Sequence, residues 1–163
     1  MKDYRSDRIH NIALVGHSGA GKTTITEAAL YLTKVTTRMG KTEDGNTVSD
    51  FDPEEVRRGI SISTSVIPVE WDGHKINFLD TPGYADFVGE VITALSAADY
   101  GVVVVDSVAG VEVGTELAWQ ALDELNLPRM VVINRMDRDN ADADRAMASL
   151  REHFPDVRFT PMV

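Results

Sequence analysis

Apolar residues in this chain alternate between two rhythms, one of strands and one of helices. "IHNIALV", Ile9 to Val15, is a nearly continuous apolar run that predicts a buried first strand leading into a glycine-rich loop. From Lys22 to about Lys34, Ile25, Ala28, Ala29 and Leu32 recur at helical spacing. The rhythm then lapses: Thr36 to Gly59 is polar and charged, and too long for an ordinary connection in a small domain. "SISTSVIPVEW" and "HKINFLD" read as two strands joined by Asp72-Gly73, a hairpin signal because both residues tolerate positive φ. Gly83 to Ala98 carries Phe87, Val88, Val91, Ile92 and Leu95 on one helical face. "GVVVVD" predicts a strand buried on both sides, and "RMVVIN" another buried strand. Between them Val113, Leu117, Ala118, Ala121, Leu122 and Leu125 mark a helix, and Ala143, Ala146, Met147, Leu150 and Phe154 mark the last one.

Strands alternating with helices predict a doubly wound α/β fold. Its central sheet is mostly parallel with one antiparallel hairpin strand, helices cover both faces, and ligand sites lie at the carboxyl ends of the strands. At 163 residues, 43% apolar and 26% charged, the chain suits one ordinary globular domain. Absence of Cys excludes disulfides and thiolate metal sites and is compatible with a reducing cytoplasm. The start "MKDYRSDRIHN" lacks the apolar core of a signal peptide, and no apolar run is long enough to span a bilayer, so no membrane is expected. A net charge of −10 argues against a broad phosphate-backbone binder, so no DNA partner is expected either.

The chemistry begins at Gly16-His17-Ser18-Gly19-Ala20-Gly21-Lys22-Thr23-Thr24. This fits the P-loop pattern and stands, as it must, between a predicted strand and a helix. Glycines let the backbone curl so that N–H groups point at phosphate oxygens, and the helix N-terminus adds partial positive charge. Lys22 would reach the β- and γ-phosphates, and the Thr23 hydroxyl would ligate Mg²⁺. The fold class is therefore a P-loop NTPase. Asn134-Arg135-Met136-Asp137 ends the fifth strand. A carboxylate there can accept from guanine N1–H and the N2 amine together, whereas adenine would leave it unpaired. Asp137 is thus the candidate guanine reader, with Asn134 tying its loop to the P-loop. Asp80-Thr81-Pro82-Gly83 follows the third strand: Asp80 can hold a Mg²⁺-bound water, and the Gly83 N–H can touch a γ-phosphate. Ser61, in "RRGISIS", is the candidate second hydroxyl for Mg²⁺. The long polar segment is expected to become ordered only with GTP.

With these residues in hand the chain resembles the GTPase domain of the translational GTPases, and of elongation factor G in particular. "NIALVGHSGAGKTT", "RRGISIS", "HKINFLDTPGYADFVGEV", "DSVAGVE" and "LPRMVVINRMDR" are similar to that family's motifs, in order and at family spacing. The resemblance implies a cytoplasmic, monomeric factor that uses GTP and Mg²⁺, hydrolyses GTP to GDP and phosphate, and acts on the ribosome. It also implies a GTPase domain over residues 1–156 that lacks the last guanine-contacting loop, with residues 157–163 starting an inserted subdomain and later domains absent. Four positions depart from the family pattern: Gly19 stands for Asp, Ser61 for Thr, Arg135 for Lys and Tyr84 for His. Tyr after Asp-x-x-Gly, with "GVEVGTE", resembles the elongation-factor-G-like paralogue subgroup. A phenol is a poor proton acceptor at neutral pH. Tyr84 is therefore a water-orienting candidate beside Gly83 and Lys22, and hydrolysis is expected to be slow without being absent. A GTP-dependent ribosome-binding switch with little hydrolysis is the alternative. An ATP-using P-loop enzyme is disfavoured by Asn134 and Asp137.

Overall fold

The two most apolar runs, β1 (Ile9–Val15) and β4 (Tyr100–Asp106), lie side by side within a five-stranded sheet. It is completed by β2 (Ser65–Trp71), β3 (His74–Asp80) and β5 (Arg129–Asn134), in the order β2-β3-β1-β4-β5. These elements are seen in a computed structural model that describes residues 3–162; residues 1, 2 and 163, the outer ends of the two expected units, lie outside it. Every neighbouring pair is parallel except β2–β3, as the hairpin signal requires. Asp72 (φ 45°) and Gly73 (φ 75°) form its two-residue turn between the paired Trp71 and His74. Pro68 is tolerated because β2 is an edge strand.

Period-two alternation splits the core between the two faces. Ala13, Val15, Val103 and Val105 pack with Leu95, Trp119, Leu122 and Leu150, from α3 (Val88–Ala97), α4 (Val113–Glu124) and α5 (Ala143–His153). Ile12, Leu14, Val102 and Val104 face the other way, onto Ala20 and Ile25, where α1 (Lys22–Leu32) covers the sheet. Each fully buried Leu or Val contributes roughly 1.5–3 kcal/mol by leaving water. The register aligns Leu14 with Asp80, Val15 with Val103 and Asp106 with Asn134, so β1 and β3 end together and β4 and β5 end together three residues further on, all at the same edge of the sheet.

Several expectations need correction. α1 buries only part of the face that its apolar spacing marks: Ile25 and Ala29 pack on the core but Leu32 is 69% exposed, while Thr23, Thr26, Glu27 and Leu30 are buried. Polar work on this face overrides hydrophobic periodicity. Residues 83–87 are not α-helical. Only a 3-10 turn (Ala85–Phe87) precedes α3, which buries Val91, Ala94 and Leu95 and leaves Ile92 exposed. Val113 and Ala143 begin their helices on the outside, and the buried Trp119 takes an unforeseen place, stacked on Phe154 at 4.0 Å. β5 is an edge strand with no fully buried residue, unlike β4, which pairs on both sides.

The polar segment also carries more structure than its missing periodicity suggests. It holds a short helix, α2 (Pro53–Arg58), opened by an Asp52–Glu55 capping box with Pro53 at the first turn. Two buried carboxylates stand in for a hydrophobic core. Glu27 on α1 accepts from the Gly40 and Val48 N–H groups at 2.9 and 2.6 Å, and Glu55 accepts from Ile62 and Ser63 at 2.9 and 3.1 Å. The backbone here is paired by side chains instead of by a neighbouring strand.

Candidate nucleotide site

β1 delivers the chain into a loop whose turns only glycine accommodates. Gly16 has φ 130°, and a Cβ there would run into the Val104 carbonyl of the neighbouring strand. Gly21 has φ 99°, and a Cβ would run into the Asn134 side-chain amide. Gly21 is the N-cap of α1 and no side chain caps the helix, so its first-turn N–H groups are left for an anion. Lys22 folds back over the loop, donating from Nζ to the carbonyls of Gly16 (2.9 Å) and His17 (3.0 Å). Its burial pulls the ammonium pKa down to about 8, against the charges of Asp80 and Asp50. The Gly83 backbone presses on the same loop: a Cβ there would stand 2.5 Å from Lys22 Nζ and 2.5 Å from the Ser18 nitrogen. A cavity of about 480 Å³ opens over this cradle.

At one side of the cavity oxygen donors gather. Thr23 Oγ1 and Ser61 Oγ lie 3.5 Å apart, and Ser61 donates to Asp50 Oδ1 at 2.7 Å, which leaves its oxygen lone pairs available. Asp80 is 1% exposed and neither carboxylate oxygen has a hydrogen-bond partner. Burial pushes its pKa up to about 6, opposed by the nearby Thr23 and Ser49 hydroxyls and by Lys22. Burial also raises Asp50, and the negative Glu55 and Glu27 add to that rise. An orphaned buried carboxylate beside two hydroxyls is a donor set that suits a small hard cation. Among the described residues no three His, Asp or Glu side chains form a metal cage. Mg²⁺ bound partly through phosphates and water needs none.

At the base end, Asn134 Nδ2 donates to the Ala20 carbonyl at 2.9 Å, tying the end of β5 to the phosphate loop. Arg135 adopts a left-handed backbone (φ 61°), its carbonyl held by Ser107 Oγ at 2.9 Å, and its side chain lines the cavity. Buried Asp106 braces the following turn through Arg138 at 3.0 Å and accepts from the Val108 N–H at 2.8 Å.

The structure therefore gathers His17, Ser18, Gly19, Gly21, Lys22, Thr23, Thr24, Ser61, Gly83, Tyr84 and Arg135 around one cavity. Gly16, Ala20, Asp80 and Asn134 support it from below or behind, without lining it. Asp137 stands on the exposed turn beyond, outside the lining. Tyr84 is 44% exposed at the rim. Sequence reasoning missed Asp50, one carboxylate among many in an aperiodic segment with no pattern to single it out, and Thr81, whose hydroxyl locks β3 to β1 by donating to the Leu14 carbonyl at 2.7 Å.

Comparisons with known proteins agree with this geometry. "Elongation factor G 2" of Streptomyces coelicolor is 46% identical over 149 residues, which are 91% of this chain and 22% of that protein. "Ribosome-releasing factor 2, mitochondrial" of Scheffersomyces stipitis is 44% identical over 146 residues, 90% of this chain and 17% of that protein. The chain thus spans about a fifth of the length of these relatives. A crystal structure of a Thermus thermophilus protein superimposes with a TM-score of 0.86 at 46% identity, over 90% of this chain and 22% of that one. The translation elongation factor SelB from Methanococcus maripaludis, at 22% identity and a TM-score of 0.66, shares the fold. Residues 7–162 match the family described as "Elongation factor Tu GTP binding domain". This chain belongs to that family, the translational GTPases, on its elongation factor G side.

Proposed function

We propose that this domain binds GTP with Mg²⁺, hydrolyses it to GDP and phosphate, and serves a translation factor that acts on the ribosome as a cytoplasmic monomer. The observation that carries the reading is the convergence of the Lys22 ammonium, the α1 N-terminus and the Gly83 backbone on one cavity, with the orphaned Asp80 buried behind its lining. Thr23 and Ser61 would hold the metal directly and Asp80 through water, and the ion would neutralise charge on the β- and γ-phosphates. Lys22 would leave its carbonyl partners for phosphate oxygens. Gly83 would present its N–H to the γ-phosphate, and Asp137 would read guanine from a loop that Asn134 holds against the P-loop.

Tyr84 adjoins Gly83 at the cavity rim, where its hydroxyl can orient a water without taking its proton. The test is single-turnover hydrolysis of bound GTP by the full-length protein, with and without ribosomes. Stimulation by ribosomes is expected, and Tyr84→Phe should lower the stimulated rate about 10²-fold. An unchanged rate in that variant would remove Tyr84 from the chemistry. Bound GTP that stays intact on ribosomes would replace hydrolysis with the alternative, a GTP-dependent binding switch, for which the phenol in place of an imidazole is the argument.

A further inference from the structure

Three segments meet at His17 of the phosphate loop. Its Nδ1 lies 3.2 Å from the Gly114 nitrogen in the first turn of α4, and its Nε2 lies 3.5 Å from Glu112 Oε1 at that helix's N-cap. A backbone N–H only donates, so Nδ1 must accept, and the ring proton of the neutral imidazole sits on Nε2, facing the carboxylate. Neither nitrogen is then left to act as a base, so the ring serves as a strut. The packing around it is tight: a Cβ on Gly114 would stand 2.7 Å from His17 Cα and 2.9 Å from the Gly83 carbonyl oxygen. A Cβ on Gly83 would stand 2.7 Å from the His17 carbonyl carbon. His17, Gly83 and the start of α4 are in mutual van der Waals contact.

We infer that Glu112 is a positioning residue which, by clamping His17 against Gly114, holds Gly83 where its N–H meets a γ-phosphate. This rests on the GTP-binding reading above. GDP has no γ-phosphate, so the clamp separates the two nucleotides: its loss lowers GTP affinity and leaves GDP affinity in place. The variant of choice is Glu112→Ala, because Glu112→Gln would still offer an oxygen to the His17 Nε2–H and leave the clamp in place. Glu116, one turn along and 3.8 Å from His153, supplies the control. Glu116→Gln removes an equal charge from the same helix end without touching His17.

The experiment is titration of the full-length protein with fluorescent GDP and a fluorescent, non-hydrolysable GTP analogue, with melting temperatures measured in parallel. In Glu112→Ala the GTP-analogue affinity is expected to fall about three- to tenfold relative to GDP, a ratio that a general loss of stability in the melting temperature would not produce, and Glu116→Gln should match the wild type. Equal losses for both nucleotides, an unchanged ratio, or the same shift in Glu116→Gln would overturn the clamp while the GTP-binding reading stands. A wild-type protein that binds neither nucleotide would overturn that reading, and the clamp with it.

Discussion

Asp80 is built for a partner that the polypeptide does not supply, and replacing it should separate stability from function. Its carboxylate is 1% exposed, neither oxygen is hydrogen-bonded, and burial raises its pKa from 3.8 to about 6. A rise of that size corresponds to about 3 kcal/mol against the ionised form in the folded chain. The sign follows from linkage. Below about pH 4 the group is protonated in both states and the cost is absent. The cost grows as pH rises toward 6, and above 6 it is fully in force. Asp80→Asn should therefore stabilise the protein at pH 7.5 when metal and nucleotide are stripped with EDTA. The full 3 kcal/mol is not recovered, because Lys22 loses a counter-charge that supports its buried ammonium, so the net gain should be about 1–2 kcal/mol. Lys22 itself titrates near 8 and does not disturb the comparison at lower pH. Urea denaturation at pH 4.5 and 7.5 is the assay, with the variant's advantage clearly larger at the higher pH, since only about a third of the cost is in force at pH 4.5. With Mg²⁺ and GTP present the order should reverse, since a ligand at a hundred times its Kd stabilises the wild type by about 2.7 kcal/mol. A variant no more stable than wild type at pH 7.5 in EDTA, or equally favoured at both pH values, would refute the reasoning.

Two further substitutions probe the ties between distant segments. Asn134→Ala removes the amide that holds the Ala20 carbonyl, and should cost about 1 kcal/mol of stability and about tenfold in guanine-nucleotide affinity; calorimetric titration showing full affinity would detach Asn134 from the site. Glu27→Gln sets an amine where one of two buried N–H groups now meets a carboxylate oxygen, costing about 1–3 kcal/mol. Limited proteolysis within residues 36–59 should speed up accordingly, and unaltered cleavage would mean that Glu27 does not anchor that segment.

Much of this domain is legible locally. "GVVVVD" needs no context to be a central strand, and Asp72-Gly73 fixes its own turn, because steric and solvation preferences act over a few residues. The phosphate loop is legible for the same reason: consecutive N–H groups and a helix start make the anion site without help from elsewhere. Where hydrophobic spacing misled, the residues had another task. α1 turns Thr23 inward toward Ser61 at the cavity and Glu27 inward to the 36–59 segment, and so gives up Leu32 to solvent. Segment 36–59 looked structureless because its order comes from buried carboxylates, which leave no periodic signature.

What the sequence by itself determined is the succession of strands and helices, the glycines that shape the loop after β1, and the candidate residues for a nucleotide site. What only the tertiary structure decided is which of those residues meet. Asn134 reaches Ala20 across 114 positions, Gly114 reaches His17 across 97, and Ser61 finds Asp50 and Thr23 from an aperiodic loop. Such meetings depend on strand order and register, which bring the carboxyl ends of β1, β3, β4 and β5 to the same edge of the sheet. Local preference carries no information about which strands will be neighbours. Burial of both sheet faces does, and it is a property of the assembled sheet, with β1 and β4 between the two core layers.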